Sequence, residues 1–255
     1  MRPTKPRIPV EGILAIVLLA FVLVGVAIGQ EPSGQHGHHG HMSMPGDEHS
    51  MTPAMQAKLL ADKQESEFNH HLAGFLVTLA GVFIFFQRGL AKKWPAVKYG
   101  WPACFLLGGI FLLVWSDAEL WPLGDSGWLE SLKDDPEVLQ HKTFAVLLLS
   151  LGAIEWQRAR GVLKAVWSGW VFPILAIAGS VLLLFHQHDA GMHGEHHEAL
   201  MAQIQSQHLS YSLTGIGIGL TKGLSEVETP WGGFLCRLWP LLMMVLGILL
   251  MFYRE

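Results

Sequence analysis

The sequence has few charged residues. Only 15% of its 255 residues are Asp, Glu, Lys or Arg, whereas 51% are hydrophobic and the mean hydropathy is +0.35. An average soluble domain carries about 25% charged residues, so this balance favours a membrane protein. The net charge of −4 argues against a nucleic-acid-binding protein, which needs a basic surface to contact phosphates.

Cysteines and enzyme motifs are also scarce. Cys104 and Cys236 lie far apart in apolar runs. They form no zinc motif, haem-attachment motif or redox pair, so we expect two small buried side chains. The chain contains no nucleophile elbow, phosphate-binding loop or dinucleotide fingerprint. The sequence therefore favours a binding protein over an enzyme.

The first 29 residues have the pattern of an export signal. Basic residues precede an apolar run from Ile13 to Ile28, and small residues follow near Gly29. This pattern predicts a secretory signal peptide cleaved near Gly29. Because the apolar run is long for a signal peptide, an uncleaved anchor helix is the alternative. Both interpretations export the chain from Gln30 onward.

Six further apolar stretches approach the length of about 17 to 25 residues that a helix needs to cross a bilayer. They cover residues 70–87, 99–116, 141–157, 166–186, 208–223 and 233–253. The predicted fold is an all-α, polytopic membrane helix bundle. Its parts are a signal peptide or anchor (residues 1–29), an exported, disordered, His- and Met-rich tail (30–56) and a six-helix transmembrane domain (57–255).

The fifth stretch is the least apolar of the six. Its glycines Gly215, Gly219 and Gly223 recur every four residues. This spacing predicts a smooth ridge on one helix face, where a neighbouring helix approaches closely inside the bundle.

The distribution of charge predicts the orientation of the bundle. Residues 88–98 and 158–165 are rich in Lys and Arg, whereas residues 117–140 are rich in Asp and Glu. Because basic connections remain in the cytoplasm, the first two segments are predicted to be cytoplasmic, and residues 117–140 and 187–207 to be exported. All 14 histidines then fall on the exported side.

Histidines are predicted at the outer ends of four helices. His70 or His71, His141, His186 and His208 hold these positions, and Asp117 ends a fifth helix. A helical bundle brings such positions into one small volume, where metal and cofactor sites are built. Imidazole binds copper, zinc, iron and nickel, and a carboxylate completes the site or orients a ligand. The alternative is that these histidines only suit the mixed polarity of the membrane boundary.

The exported segment before the fifth stretch contains a second group of histidines. It opens with His186, His188 and Asp189, and it contains no Lys or Arg. A helix running into the fifth stretch would align further residues on one face: His193, His197, Met201, Ile204 and His208. This stripe predicts metal binding, and an interfacial helix with a chance stripe is the alternative.

The exported tail is rich in potential ligands for soft and borderline metals. These are His36, His38, His39, His41, Met42, Met44 and His49. Thioether sulfur prefers Cu(I), and imidazole binds copper in both oxidation states as well as zinc. The mixture predicts copper collection outside the cell, and low-complexity drift is the alternative.

Carboxylates stand close to several of these histidines in the sequence. Glu67 precedes His70 by three residues, and Glu137 precedes His141 by four. Both are predicted to support the neighbouring imidazole, since a di-iron site would need a second Glu-x-x-His motif. Glu155 is predicted to form an ion pair with Arg158.

The exported His/Met tail, the multiple spans and the histidines at outer helix ends together resemble bacterial copper-handling membrane proteins of the copper resistance protein D type, over residues 70–223. The resemblance implies copper delivery, uptake or resistance at the periplasmic face of the inner membrane. Copper is the expected metal, with zinc as an alternative. The expected partners are the metal ion, membrane lipid and a periplasmic metal carrier.

Two other functions are consistent with the sequence. Two histidines on facing helices would also ligate haem b, as in a membrane cytochrome that transfers electrons from quinol. A structural subunit of a membrane complex, with an incidental His-rich tail, is the second.

Overall fold

The computed structural model describes residues 52–185, 195–227 and 230–254, with the backbone alone at Met55 and at 195–201. These ranges contain seven α-helices, one short 3₁₀ helix and no β-strand. The α-helices are α1 (Pro53–Leu90), α2 (Gly100–Val114), α3 (Trp128–Asp134), α4 (Pro136–Ala159), α5 (Ser168–Leu183), α6 (Glu195–Ser225) and α7 (Gly232–Met251), and the 3₁₀ helix (Pro95–Tyr99) precedes α2. The predicted all-α fold is confirmed for these residues.

Four helical segments are long and apolar enough to cross a membrane. They are Gln56–Leu90, Pro95–Val114, Pro136–Ala159 and Gly232–Met251. Helix α5 is apolar but has only 16 residues, and the first half of α6 is polar. The structure therefore supports a membrane protein with four membrane-compatible helices, while each of the six predicted stretches lies largely within a helix.

Three helices begin earlier than the apolar runs predict: α1, α4 and α6, the last of which begins at Glu195. Helix α1 starts at Pro53, inside the segment 30–56 predicted as a disordered tail. Its first turns are rich in Ala, Gln, Lys and Leu, which favour helix without being uniformly apolar, and proline suits the first helical position. Helix α4 starts at Pro136, where the Asp135 side chain accepts hydrogen bonds from the next helical N–H groups.

Six helices form a closed ring in the order α1, α2, α4, α5, α6 and α7. Each packs against its two neighbours in this order, and α7 closes the ring against α1. The short helix α3 packs on the outside against α4. Because the ring has six members, it leaves space along its centre.

Hydrogen bonds between neighbouring helices define one end of the ring, here called the histidine end. Asn69 reaches the Ser116 carbonyl, and Gln140 reaches the Phe185 carbonyl. Gln207 reaches the carbonyl of Arg254. The helices therefore alternate in direction, and the predicted outer ends of the described helices lie at a common level.

Glycines allow close contacts between neighbouring helices. A Cβ atom at Gly219 would lie 2.9 Å from the Pro173 carbonyl oxygen of α5, and one at Gly223 would lie 3.4 Å from the Pro173 side chain. The predicted glycine ridge thus faces the neighbouring helix. A Cβ atom at Gly74 of α1 would lie 2.8 Å from the Met251 nitrogen at the end of α7. Backbones approach this closely only where a side chain is missing.

An aromatic cluster fills the centre of the ring away from the histidine end. Its members, Trp101, Phe105, Phe172 and Trp239, come from three helices and have ring centroids 5.3–6.3 Å apart. All four side chains are buried. Cys104 is buried beside them and Cys236 is half-buried, and both are free thiols.

Candidate functional site

Three of the predicted helix-end histidines line the same cavity. His70 of α1, His141 of α4 and His208 of α6 face a space of about 280 Å³ within the ring. All six ring helices contribute to the wall of this cavity. These histidines converge because neighbouring helices alternate in direction. The alternation places the start of α4 at the same level as the starts of the apolar parts of α1 and α6.

His70 and His208 lie on separate helices with their rings close together. Their ring centroids lie 6.0 Å apart, and His208 is only 4% exposed. Metal–imidazole bonds of about 2 Å place two rings that share one metal roughly 5 to 6.5 Å apart, measured between centroids. The observed separation falls in that range.

Hydrogen bonding fixes the tautomer of His70. Its Nδ1 atom lies 2.8 Å from the Ser66 carbonyl oxygen one turn earlier. A carbonyl oxygen only accepts, so Nδ1 donates, and in the neutral ring Nε2 carries the lone pair. Metal-binding histidines are commonly held this way, with one nitrogen donating to a carbonyl and the other binding the metal.

Tyr253 covers the His70 ring. It follows the end of α7, is fully buried and stacks on His70 with centroids 3.8 Å apart and planes 15° apart. The Tyr253 carbonyl also accepts a hydrogen bond from Nε2 of His71 at 3.1 Å. His71 is exposed and does not line the cavity. Of the two adjacent histidines, His70 therefore belongs to the cavity, and His71 attaches the end of α7 to α1.

Asp117 and His141 form the second polar group at the histidine end. The Nδ1 atom of His141 donates to Oδ1 of Asp117 at 2.9 Å. The other carboxylate oxygen, Oδ2, accepts from Lys142 Nζ and from Ser116 Oγ, both at 2.5 Å. Since both oxygens have donors within the protein, the geometry favours the orienting role for Asp117 over direct metal binding.

The same contacts keep Asp117 ionised. Burial by itself raises the pKa of this carboxyl, but the hydrogen bonds from His141, Lys142 and Ser116 outweigh that effect and leave its pKa below the usual value. Lys142 is also buried and donates to the Leu112 carbonyl at 3.1 Å. The network is thus a buried ion pair with a histidine attached to its carboxylate.

The rest of the cavity wall is mainly apolar. Phe105, Phe144, Phe172 and several leucines surround the space, and Asn69, Ser116, Ser180 and Tyr211 add polar groups. Phe105 and Phe172 belong to the aromatic cluster, which therefore forms the floor of the cavity. The chemistry of this lining is compatible with a mostly apolar molecule, or with a metal bound by the histidines at one level.

Three glutamates were predicted either to support a histidine or to form an ion pair, and the structure places them in different environments. Glu155 binds Arg158 at 2.7 Å, so the predicted ion pair is confirmed. Glu137 lies 4.0 Å from Nε2 of His141, close to the predicted relation but beyond hydrogen-bonding distance. Glu67 lies 3.8 Å from Lys63.

Most of the other predicted ligands lie outside the described residues. They are His36, His38, His39, His41, Met42, Met44, His49, His186, His188 and His193, together with the side chain of His197. His186 directly follows Phe185, whose carbonyl bonds Gln140, the neighbour of His141. Within the described side chains, no group of three or more His, Cys, Asp or Glu residues could hold a metal ion. Metal binding therefore stays a prediction.

Sequence reasoning missed three residues of the site. Lys142 follows His141 inside an apolar run, and a lone charge in such a run was a signal that could have been used. Ser116 and Tyr253 gave no such signal, because serine and tyrosine are common near helix ends. Only the packing of α7 against α1 places Tyr253 on His70.

Compared with known proteins, the chain matches no family model, and no curated protein and no solved structure shows significant similarity to it.

Proposed function

We propose that all six ring helices cross a bacterial inner membrane, with the histidine end facing the periplasm. Exposed leucines support α6 as a span: Leu213, Leu220 and Leu224 are at least half exposed although they lie on a helix of the ring. Helix α5, at 1.5 Å per residue, is roughly 24 Å long, close to the bilayer core of about 30 Å. The basic residues of the opposite end agree with a cytoplasmic location.

We further propose that the protein binds a transition metal, copper foremost, at the histidine end. The observation that carries this proposal is the pair His70–His208, with ring centroids 6.0 Å apart across two helices. The bond from His70 Nδ1 to the Ser66 carbonyl supports it, because it presents Nε2 as the ligand atom. His141, held by Asp117, and His186 are the proposed further ligands, and the tail delivers the metal.

Delivery or storage fits better than conduction through the ring. The aromatic cluster closes the cavity at its floor. The opposite end of the ring carries mainly basic side chains, which disfavour the passage of a metal cation. The metal would therefore enter and leave at the histidine end, in copper delivery or resistance at the periplasmic face.

Metal titration of purified protein tests this proposal. Deleting residues 35–51 first removes the tail ligands, so that only the bundle is measured. The variant His70→Ala/His208→Ala should bind copper at least about tenfold more weakly than this parent, the scale of losses at metal sites. The control is His71→Gln, because His71 is adjacent on α1, lies outside the cavity, and glutamine keeps an N–H donor for Tyr253. Equal copper affinity in the double variant and its parent would disprove the site.

A membrane b-type cytochrome is the second candidate, favoured by the apolar cavity beneath the histidines. In this case His70 and His208 would ligate haem b, and the wall of phenylalanine and leucine side chains would cover the porphyrin. The same double variant separates the two candidates. A Soret absorbance band that is present in the parent and lost in His70→Ala/His208→Ala supports the cytochrome, whereas a colourless parent that retains copper supports the metal site.

A further inference from the structure

A second cavity lies at the other end of the ring, on the far side of the aromatic cluster. Its volume is about 790 Å³, and Trp101 and Trp239 of the cluster contribute to its wall. Six cationic side chains and two carboxylates line it. The cations are Arg88, Lys98, Arg158, Lys164, Lys222 and Arg237. This space is here called the basic cavity.

The two carboxylates are already paired. Glu155 binds Arg158 at 2.7 Å, and Glu226 binds Lys222. The four remaining cations come from α1, the 3₁₀ helix, the connection before α5 and α7. Among the residues that the structure describes, none of these four has a carboxylate within 4.0 Å. Like charges around one concave space repel each other unless an anion occupies it.

The preference of basic residues for the cytoplasmic side of a membrane explains why this end of the ring is positively charged. It does not explain how the cations at this end are arranged. Lys92, Lys93 and Arg160 belong to the same basic connections, yet they do not line the basic cavity. The lining cations instead converge from separate segments on one space. Convergence of this kind is characteristic of a ligand site, because a charge bias alone places no requirement on where side chains meet.

The chemistry of the lining indicates phosphate. Arginine offers a planar fork of donors that matches phosphate oxygens, and lysine adds point charges. Basic pockets between membrane helices on the cytoplasmic side bind anionic lipid headgroups in this way. Trp101, Trp239 and Phe85 supply apolar surface beside the cations. We propose that the basic cavity binds a phosphate group, carried by an anionic phospholipid or by a soluble phosphate compound.

Two matched double variants test the proposal. Arg88→Gln/Arg237→Gln removes two exposed cations of the basic cavity, and Lys92→Gln/Arg160→Gln removes two exposed cations of the same end outside it. Both double variants change the net charge equally, and neither replaces a buried residue. Each purified protein is titrated with phosphatidylglycerol and with phosphatidylcholine in native mass spectrometry, and with inorganic pyrophosphate by calorimetry.

The cavity variant should bind at least about tenfold more weakly, since two charge-assisted hydrogen bonds are lost, and the control should bind as wild type does. Selective binding of phosphatidylglycerol identifies a lipid as the source of the phosphate, and binding of pyrophosphate identifies a soluble compound. The proposal is wrong if neither phosphatidylglycerol nor pyrophosphate binds wild type more tightly than the cavity variant. It is also wrong if the control variant loses as much affinity as the cavity variant does. These results do not depend on metal binding at the histidine end.

Discussion

Replacing Asp117 with asparagine should destabilise the folded protein strongly. The Asp117 carboxylate is 5% exposed and lies 2.5 Å from the Lys142 ammonium, which is equally buried. Asparagine has nearly the same shape but no charge, so it leaves the Lys142 cation without its counter-ion. Removing one partner of a buried ion pair lowers the free energy of unfolding by about 3–5 kcal/mol. For a chain of this size that corresponds to a fall in melting temperature on the order of 10 °C.

A second substitution separates the charge effect from a general loss of packing. In Asp117→Asn/Lys142→Met both charges are absent, and the methionine keeps the length and apolar stem of lysine. Because an ion pair replaced by apolar groups is often neutral for stability, most of the lost free energy should return. Asp125→Asn is the control, since Asp125 is an exposed acid of the same connection and its change should stay within about 0.5 kcal/mol.

The dependence on pH follows from the lowered pKa of Asp117. The carboxylate stabilises the fold fully above its unfolded pKa of about 3.9, and this contribution is lost as the pH falls through the lower folded pKa. The difference in melting temperature between wild type and Asp117→Asn should therefore shrink as the pH falls below about 3.9. Thermal unfolding in detergent, followed by circular dichroism, measures all of these quantities. The reasoning is refuted if Asp117→Asn loses less than about 1 kcal/mol, or if adding Lys142→Met gives no recovery.

Three further predictions concern packing, the tail and orientation. Gly74→Ala should lower the free energy of unfolding by about 1–3 kcal/mol, because the added Cβ atom meets the α7 backbone. Gly89→Ala on the same helix is the control: its Cβ atom meets nothing within 4 Å, so this variant should be neutral or slightly stabilising in the same thermal assay. Deleting residues 35–51 should reduce the number of copper ions bound per chain, measured by elemental analysis. The melting temperature of the metal-free protein should change little, and a marked fall in that temperature would mean that the tail packs on the bundle. A single cysteine at position 125 should react with an impermeant thiol reagent in intact cells and one at position 92 should not, and the reverse result would invert the proposed orientation.

The sequence alone was sufficient to predict the helices and the helix ends at which the histidines lie. Long apolar runs with few charges can satisfy their backbone hydrogen bonds in a membrane only as helices, so the all-α prediction needed no tertiary information. The alternation of acidic and basic connections predicted which helix ends share a side, and in the structure His70, His141 and His208 do line one cavity.

The limits of the apolar pattern appear at α1 and α5. Hydropathy detects only residues that suit lipid, so it missed the polar turns that extend α1 back to Pro53. In α5, 16 residues fall short of the usual span, and its role in the ring depends on packing against α4 and α6. Helix length and helix neighbours are set by contacts with other helices, which a one-dimensional profile does not contain.

Only the tertiary structure decided which side chains meet. A histidine at a helix end can point into the ring or away from it, and the rotation of each helix, fixed by glycine contacts such as Gly74 with α7, selects between these directions. This is why His70 lines the cavity and His71 does not, although the two are adjacent. The same packing brings Lys142 to Asp117 and Tyr253 to His70 across distances of 25 and 183 residues in sequence. Those contacts depend on the order in which the helices close the ring, and residue spacing along a single helix carries no information about that order.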